Sequence, residues 1–98
     1  MKLYIGRNAF NTRDQTFEFR GEADTADGIA KLKMDYIEET NFKSYYERWI
    51  ADKDFDGNPL WVIDFGSYNR FFYIYDLTGE LLDRWRVLAK EYIDEQAE

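Results

Sequence analysis

The amino-acid sequence predicts an α+β domain in which a small antiparallel sheet of four to five strands is packed with three helices, in the order ββααββ(β)α. Two segments, 60–65 and 71–75, are nearly continuous apolar runs separated by a short polar turn. The segment 16–20 alternates apolar and polar residues, which is the period of a strand. Three other segments place apolar residues at helical spacing. We expect residues 1–98 to form a single domain.

The first two strands are predicted to form an N-terminal hairpin. Residues 3–5 (Leu-Tyr-Ile) give a short first strand, and residues 16–20 give the second. The stretch 8–15 between them is rich in Asn, Thr and Asp, whose side chains hydrogen-bond to the nearby backbone in turns. We expect the hairpin to end at Gly21.

A first helix is predicted to follow the hairpin. Asp24 or Thr25 can cap its N-terminus, and Asp27 adds negative charge to its first turn. We expect its apolar face to pack on the sheet. That face consists of Ile29, Leu32, Tyr36 and Ile37.

A second helix is predicted to begin at Asn41. Its apolar residues follow the spacing i, i+3, i+4, i+7 and i+8, which is typical of an amphipathic helix. The aromatic content would also suit a strand, but the spacing does not alternate, so the helix is the preferred interpretation. The residues concerned are Phe42, Tyr45, Tyr46, Trp49 and Ile50.

A hairpin is predicted after the second helix. Pro59 cannot continue a helix, so it separates that helix from the strand 60–65. The chain then turns at 67–70 and returns as the strand 71–75.

The C-terminal element is predicted to be a helix. Residues 76–79 (Asp-Leu-Thr-Gly) resemble a hairpin turn, after which a brief strand at 80–82 is expected. The helix begins at about Asp83 or, if this strand is absent, as early as Thr78, and the sequence leaves both starts open. Its buried stripe is predicted to consist of Trp85, Leu88, Ala89 and Tyr92.

The composition excludes most side-chain catalysis. The chain holds eight Phe, eight Tyr and three Trp, but no His and no Cys. It therefore has no imidazole base or metal ligand and no thiolate nucleophile. A carboxylate pair of the glycosidase kind leaves Asp64 and Asp76 as candidates, but the sequence shows no cleft between them. We expect a binding protein rather than an enzyme.

The net charge of −7 is unevenly distributed. Residues 1–20 hold four basic and two acidic residues, whereas residues 21–98 hold nine basic and eighteen acidic ones. Such a surface repels nucleic acids and anionic membranes and attracts a protein partner with a basic surface, although solubility alone is another reason for acidity. A cytoplasmic location is expected, because no apolar run suits a signal peptide or a membrane span and no cysteine indicates an oxidising compartment.

The two central strands are apolar on both sides, which a sheet with one face in water does not need. Helices that cover a single side would leave an aromatic surface for a homodimer or another partner. Helices divided between both sides would bury everything. Tyrosines are favoured at interfaces because they combine a large apolar area with a polar hydroxyl. The candidates here are Tyr68, Tyr73 and Tyr75.

The segment 52–57 (Asp-Lys-Asp-Phe-Asp-Gly) matches the first half of a calcium-binding loop. In such loops alternating carboxylates converge on the ion, and here they would be Asp52, Asp54 and Asp56. The twelfth position, which is a bidentate Glu in a complete loop, is Ile63. A calcium-binding module is therefore an alternative function, and no other cofactor is expected.

The preferred function is a non-enzymatic, acidic protein-binding or inhibitor module that masks the basic, nucleic-acid-binding surface of a partner. A small phage-type antagonist and an immunity protein are both of this kind. Carboxylates would imitate phosphate charge, and aromatic residues of the sheet would provide the desolvated anchors. A structural protein that homo-oligomerises through the sheet is a further alternative. The proposed carboxylates are Asp24, Asp27, Asp35, Glu38 and Glu39.

Overall fold

The computed structural model describes residues 1–6, 17–54, 56–66 and 70–96, and for 90–96 it describes the backbone alone. Within these residues the chain forms five strands and two helices. Their bounds are β1 Lys2–Gly6, β2 Phe17–Glu22, α1 Ala26–Thr40, β3 Arg48–Lys53, β4 Pro59–Asp64, β5 Phe71–Tyr75 and α2 Gly79–Gln96.

The strands form one antiparallel sheet in the order β2-β1-β5-β4-β3. β1 lies between β2 and β5, so the N-terminal hairpin joins the C-terminal half of the sheet through pairs such as Tyr4 opposite Tyr73. β2 and β3 lie at the two edges. The predicted α+β class and the antiparallel sheet of up to five strands are confirmed, but the predicted third helix and the order ββααββ(β)α are wrong.

α1 begins and ends where its terminal backbone groups find partners. Thr25 Oγ1 accepts a hydrogen bond from the backbone N–H of Gly28 at 3.1 Å, as expected for a helix cap. At the other end Asn41 adopts a left-handed φ of 52°. The backbone N–H of Phe42 then donates to the carbonyl oxygen of Ile37 at 3.2 Å. The chain therefore leaves helical geometry at Asn41.

The second helix predicted from Asn41 is wrong. Residues 41–47 form neither helix nor strand, and residues 48–53 form β3. The apolar spacing was ambiguous, because Trp49 and Ile50 can also occupy opposite sides of a strand. Pairing with β4 satisfies the backbone groups of β3 that face β4 and covers the edge that β4 would otherwise expose, and aromatic and β-branched residues suit a strand. This non-local pairing outweighs the helical pattern.

The hairpin turn and the brief strand predicted after β5 are also wrong. Asp76 and Gly79 have φ values of 54° and 56° and lie in the link from β5 to α2. Residues 80–82 belong to α2, which begins at Gly79, close to the earlier of the two predicted starts.

Among the described side chains of α2, the apolar stripe is covered near the start of the helix and is interrupted at Leu88. Leu81 is buried, and its carbonyl oxygen accepts a hydrogen bond from Trp61 Nε1 at 2.9 Å. Trp85 is half-buried and donates through Nε1 to a carbonyl oxygen of β3 at 3.0 Å. Leu88 is exposed, so the predicted buried stripe is wrong at that position. The side chain of Tyr92 lies outside the described residues.

Both helices lie on one side of the sheet, which we call the helix-bearing face. α1 packs on β1 and β2, and α2 packs on β3 and β4. Gly21 allows α1 to approach closely, because a Cβ there would lie 2.9 Å from Leu32 Cδ2. Within the described residues no helix packs on the other side, which we call the open face. The buried core of the helix-bearing face is Met1, Leu3, Ile5, Ile29, Tyr36, Trp61, Ile63, Phe65, Phe72, Ile74, Leu77 and Leu81.

Candidate interaction surfaces

The side chains of the open face lie in three rows that cross the strands in the order β2, β1, β5, β4, β3. The middle row is made of aromatic and aliphatic side chains, and each outer row includes charged residues. The rows are Glu22, Lys2, Tyr75, Leu60 and Asp52; Phe19, Tyr4, Tyr73, Val62 and Ile50; and Phe17, Gly6, Phe71, Asp64 and Arg48.

Among the aromatic and aliphatic side chains of the open face, exposure is greatest near β2. Phe17 and Phe19 are 39% and 53% exposed, and Tyr4 beside them is half-buried. The ring of Tyr4 lies 5.4 Å from that of Phe19 and 5.5 Å from that of Tyr75. The centre of the face is buried and consists of Leu60, Val62, Phe71 and Tyr73.

The three tyrosines predicted for a partner surface have different positions. Tyr75 is half-buried on the open face. Tyr73 is 2% exposed and so contributes no accessible surface in this chain. Tyr68 lies outside the described residues. On the open face the exposed rings are instead those of Phe17 and Phe19, which were not predicted to bind a partner, although the alternation at 16–20 places both on one side of β2.

The five carboxylates predicted for a charged surface are all exposed. Glu39 pairs with Arg20, whose Nη2 lies 2.6 Å from Glu39 Oε2. The other four form no ion pair with any described residue. Three of them lie on the outward side of α1, and one lies just before its cap; they are Asp27, Asp35, Glu38 and Asp24.

The outward side of α1 is not purely acidic. Lys31 lies one turn from both Asp27 and Asp35, and Met34 beside them is 49% exposed. This surface faces away from the sheet, whereas the exposed rings lie on the open face. The predicted carboxylates and the predicted aromatic anchors are therefore on opposite sides of the molecule, and one flat partner surface cannot contact both.

The loop between β3 and β4 uses a carboxylate to hold its own backbone. Asp54 Oδ1 accepts hydrogen bonds from the backbone N–H groups of Asp56 at 2.9 Å and Asn58 at 2.8 Å. The hydrogen bond from the backbone of Asn58 is the main reason that the pKa of Asp54 lies below its ordinary value of 3.8. Asp52 Oδ1 accepts from the backbone N–H of Lys53 at 2.8 Å.

The side chains of Asp52, Asp54 and Asp56, predicted to bind calcium, are not grouped around one point in this structure. In the part of the chain that the structure describes, no group of three or more His, Cys, Asp or Glu side chains is placed to hold a metal ion. The physical reason is that the first two carboxylates accept hydrogen bonds from their own loop and strand instead of converging on one point.

The two aspartates considered for acid–base chemistry are far apart. Asp64 is buried at one end of β4, where Oδ2 lies 3.2 Å from Arg48 Nη2 and Oδ1 accepts from the backbone N–H of Gly66 at 2.9 Å. Asp76 follows the opposite end of the neighbouring strand and pairs with Lys2 at 3.6 Å. These carboxylates do not flank a common cleft, and each has a basic partner.

A charged network that the sequence did not reveal joins α1 to β3. Glu47 Oε1 lies 2.7 Å from Lys33 Nζ, and Oε2 accepts a hydrogen bond from Trp49 Nε1 at 2.8 Å. Burial raises the pKa of Glu47, but the hydrogen bonds from Lys33 and Trp49 outweigh it and hold the pKa below its ordinary value of 4.5. The network was not expected because residue 47 was assigned to a helix.

A groove of ≈ 580 Å³ lies beside α2 on the helix-bearing face. The charged residues in its lining are Asp83 and Arg84, and Arg84 pairs with Glu80 at 2.5 Å. The groove is thus mainly apolar and lacks the convergent polar groups that fix a substrate. Its lining is Trp49, Trp61, Asp83, Arg84, Val87 and Leu88.

No family model, no curated protein and no solved structure matches this chain. Neither helix, over the residues described, is long and apolar enough to cross a membrane. The surfaces described above are therefore the basis for inferring function.

Proposed function

We propose that this chain is a non-enzymatic, acidic binding module that masks the basic surface of a protein partner, and that the outward side of α1 supplies the charge. The observation that carries the proposal is the exposure of Asp24, Asp27, Asp35 and Glu38 without an ion pair among the described residues. Several bases of the chain are already paired, namely Lys2, Arg20, Lys33, Arg48, Arg84 and Arg86.

The position of Glu38 supports a role in binding. It lies in the last turn of α1, which contains no basic residue. A carboxylate at a helix C-terminus opposes the helix dipole and typically costs about 0.3–1 kcal/mol. An exposed, unpaired charge that slightly weakens the fold is expected where the charge serves an interaction, because function often trades against stability.

The spacing of the carboxylates suits a surface that normally binds phosphates. Asp27 and Glu38 are eleven residues apart, which corresponds to about 16 Å along a helix. Phosphates follow each strand of a duplex at roughly 3.4 Å along the axis, so the acidic side of α1 has the length of several phosphates. A partner groove that binds a nucleic-acid backbone would attract it, and occupation of that groove would inhibit the partner.

The test is capture of the partner from a cell lysate at low and high ionic strength, followed by competition with duplex DNA and with RNA. We expect the partner to be a nucleic-acid-binding protein, the complex to weaken steeply as salt rises, and this chain to displace the nucleic acid.

An Asp35→Asn/Glu38→Gln variant should bind the captured partner more weakly. The matched control is Asp56→Asn/Asp83→Asn, which changes the net charge equally at exposed acids elsewhere. An affinity that does not depend on salt, or an equal loss in the control, would contradict the assignment to α1.

A further inference from the structure

The aromatic rings on the two faces of the sheet differ in whether a Lys or Arg side chain of this chain lies over them. Four of the seven rings that pack in or against the core of the helix-bearing face have a Lys or Arg of this chain over them. Among the described residues, no Lys or Arg lies over the rings of Tyr4, Phe17, Phe19 or Tyr75 on the open face. The pairs near the helix-bearing core are Arg20 over Tyr36 at 5.1 Å, Lys33 over Trp49 at 5.9 Å, Lys53 over Trp85 at 5.9 Å and Arg70 over Phe42 at 5.4 Å.

Carboxylates border these open-face rings. Glu22 lies at the edge of the sheet opposite Lys2, and Lys2 lies opposite Tyr75. Lys2 also pairs with Asp76 at 3.6 Å. Glu22 is exposed and forms no ion pair with a described residue. At this border Lys2 therefore lies between the acidic residues Glu22 and Asp76.

Two further carboxylates lie beyond Tyr75 on the open face. Asp52 lies in the same row as Tyr75, past Leu60, and Asp54 follows it two residues later, where its backbone N–H donates to the carbonyl oxygen of Asn58 at 3.0 Å. Burial is the main cause that raises the pKa of Tyr75, and the negative charges of Asp54 and Asp52 add to it, with a contribution from Tyr4. The charges of these carboxylates therefore act on that ring. We call the whole surface the aromatic–acidic patch; it comprises Tyr4, Phe17, Phe19 and Tyr75 with Glu22, Asp52, Asp54 and Asp76.

We propose that the aromatic–acidic patch binds arginine side chains from a segment of a basic protein partner. A guanidinium group stacks on aromatic rings, forms paired hydrogen bonds with carboxylates and is less strongly hydrated than an ammonium group. The patch offers both kinds of group side by side. The inference rests on the proposed function in taking the partner to be basic, but it concerns the side of the molecule opposite the acidic side of α1.

Charge argues against two other occupants of the patch. A second copy of this chain, docked face to face, would bring the same four carboxylates against one another, and among the described residues Lys2 is the base that lies between them on each side. Nucleic-acid bases stack on aromatic rings, but their phosphates would be repelled by the same carboxylates. An arginine-containing protein segment satisfies the rings and the carboxylates together.

The test is calorimetric titration with a peptide of alternating arginine and serine, compared with its lysine counterpart. The first variant is Phe19→Leu, which keeps an apolar side chain but removes an exposed ring. Its control is Tyr45→Leu, which removes an exposed ring elsewhere. The second variant is Glu22→Gln/Asp76→Asn, in which Asn tolerates the positive φ of residue 76. Its control is Glu80→Gln/Asp83→Asn, which removes two exposed carboxylates on α2.

We expect the arginine peptide to bind more tightly than the lysine peptide. Phe19→Leu should lower the affinity for arginine about two- to fivefold, as expected for the loss of one cation–ring contact at an exposed site, and should reduce the difference between the two peptides. Glu22→Gln/Asp76→Asn should also weaken binding, with a smaller salt dependence. Both controls should bind like the unmodified chain.

Several results would overturn the inference. One is no binding of the arginine peptide; another is unchanged affinity in Phe19→Leu. A loss of peptide binding in Asp35→Asn/Glu38→Gln but not in the two patch variants would place the peptide on α1, which would favour the proposed function while removing the role of the patch. A dimer that light scattering detects and that Phe19→Leu dissociates would identify the patch as a self-association surface. The proposed function is tested separately, by the identity of the captured partner and by the affinity of that partner for the Asp35→Asn/Glu38→Gln variant.

Discussion

The helix-bearing face and the open face of the sheet are similarly rich in apolar residues but differ in what covers them. On the helix-bearing face, α1 and α2 bury side chains such as Trp61 and Phe72, and bases of the same chain lie over neighbouring rings. On the open face the centre is buried, while Phe17 and Phe19 near the edge remain exposed beside carboxylates. Apolar content alone therefore does not separate a core from a docking surface.

The chain connectivity explains why the two faces differ. β2 and β3 lie at opposite edges of the sheet, and α1 connects them. This connection has to cross the sheet, and α1 does so on one side. α2 follows β5 and packs on the same side, against β3 and β4. Both helices therefore pack on one face, and the rings near β2 on the other face remain exposed.

The largest expected effect on stability comes from a substitution in the core of the helix-bearing face. Phe72 is fully buried, and its ring lies 4.6 Å from that of Phe65 and 5.2 Å from that of Tyr36. Phe72→Ala should lower the free energy of unfolding by about 3–5 kcal/mol, measured by urea denaturation. Phe19→Ala on the open face is the matched substitution and should cost less than about 1 kcal/mol. Equal losses would contradict the distinction between the faces.

The next largest effect on stability is expected at Asp64, the buried carboxylate of the open face. Asp64→Asn weakens the ion pair with Arg48 and alters the acceptor for the backbone N–H of Gly66. A hydrogen bond to a charged group is worth about 1.5–3 kcal/mol, and we expect a loss of stability of that order in urea denaturation. Arg48→Gln should cost less, because the Arg48 side chain is mostly exposed. The reverse order would show that Asp64 is not held as described.

A smaller effect concerns the link between α1 and β3. Glu47→Gln should lower the free energy of unfolding by about 1 kcal/mol, because it weakens the contacts with Lys33 and Trp49. The pKa of Glu47 is lowered in the folded protein, so its stabilisation is present above pH 4.5 and is lost as the pH falls below that value. Stability measured against pH should show the variant and the unmodified chain converging on acidification. A gap that stays constant would contradict this account.

The smallest expected effect is a gain in stability rather than a loss. Glu38→Gln should raise the free energy of unfolding by about 0.3–1 kcal/mol, because it removes an unpaired negative charge at the C-terminal end of α1. Glu39→Gln is the matched control and should give no such gain, because Glu39 pairs with Arg20. Thermal unfolding at low ionic strength measures both. A loss of stability in Glu38→Gln would show that its carboxylate serves the fold.

Local patterns predicted those parts of the fold that neighbouring residues decide. Thr25 as a cap, the apolar face of α1 and the strands 60–65 and 71–75 depend on short-range spacing. The segment 41–50 was mistaken because its conformation depends on pairing with β4, a partner that periodicity does not reveal. The position of β1 between β2 and β5 was likewise hidden, because it brings together residues from the two ends of the chain.

The sequence predicted which kinds of side chain would form the candidate surfaces, but not which of them would lie on the same side of the molecule. The exposure of Asp27, Asp35 and Glu38 follows from the amphipathic pattern of α1. Whether these carboxylates share a side with the sheet's rings depends on which face the helices cover, and the sequence left that open. For the same reason Tyr73 was expected to be an anchor, although the rings exposed on the open face are those of Phe17 and Phe19.

The most direct test of the division between the faces is amide chemical-shift mapping of the isotope-labelled chain during titration with the arginine–serine peptide. We expect the shifts to concentrate in β1, β2 and the end of β5 near Tyr75. We expect little change at Trp49, Trp61 and the groove beside α2. Shifts centred on that groove, with β2 unaffected, would show that ligands bind on the helix-bearing face and would contradict the account.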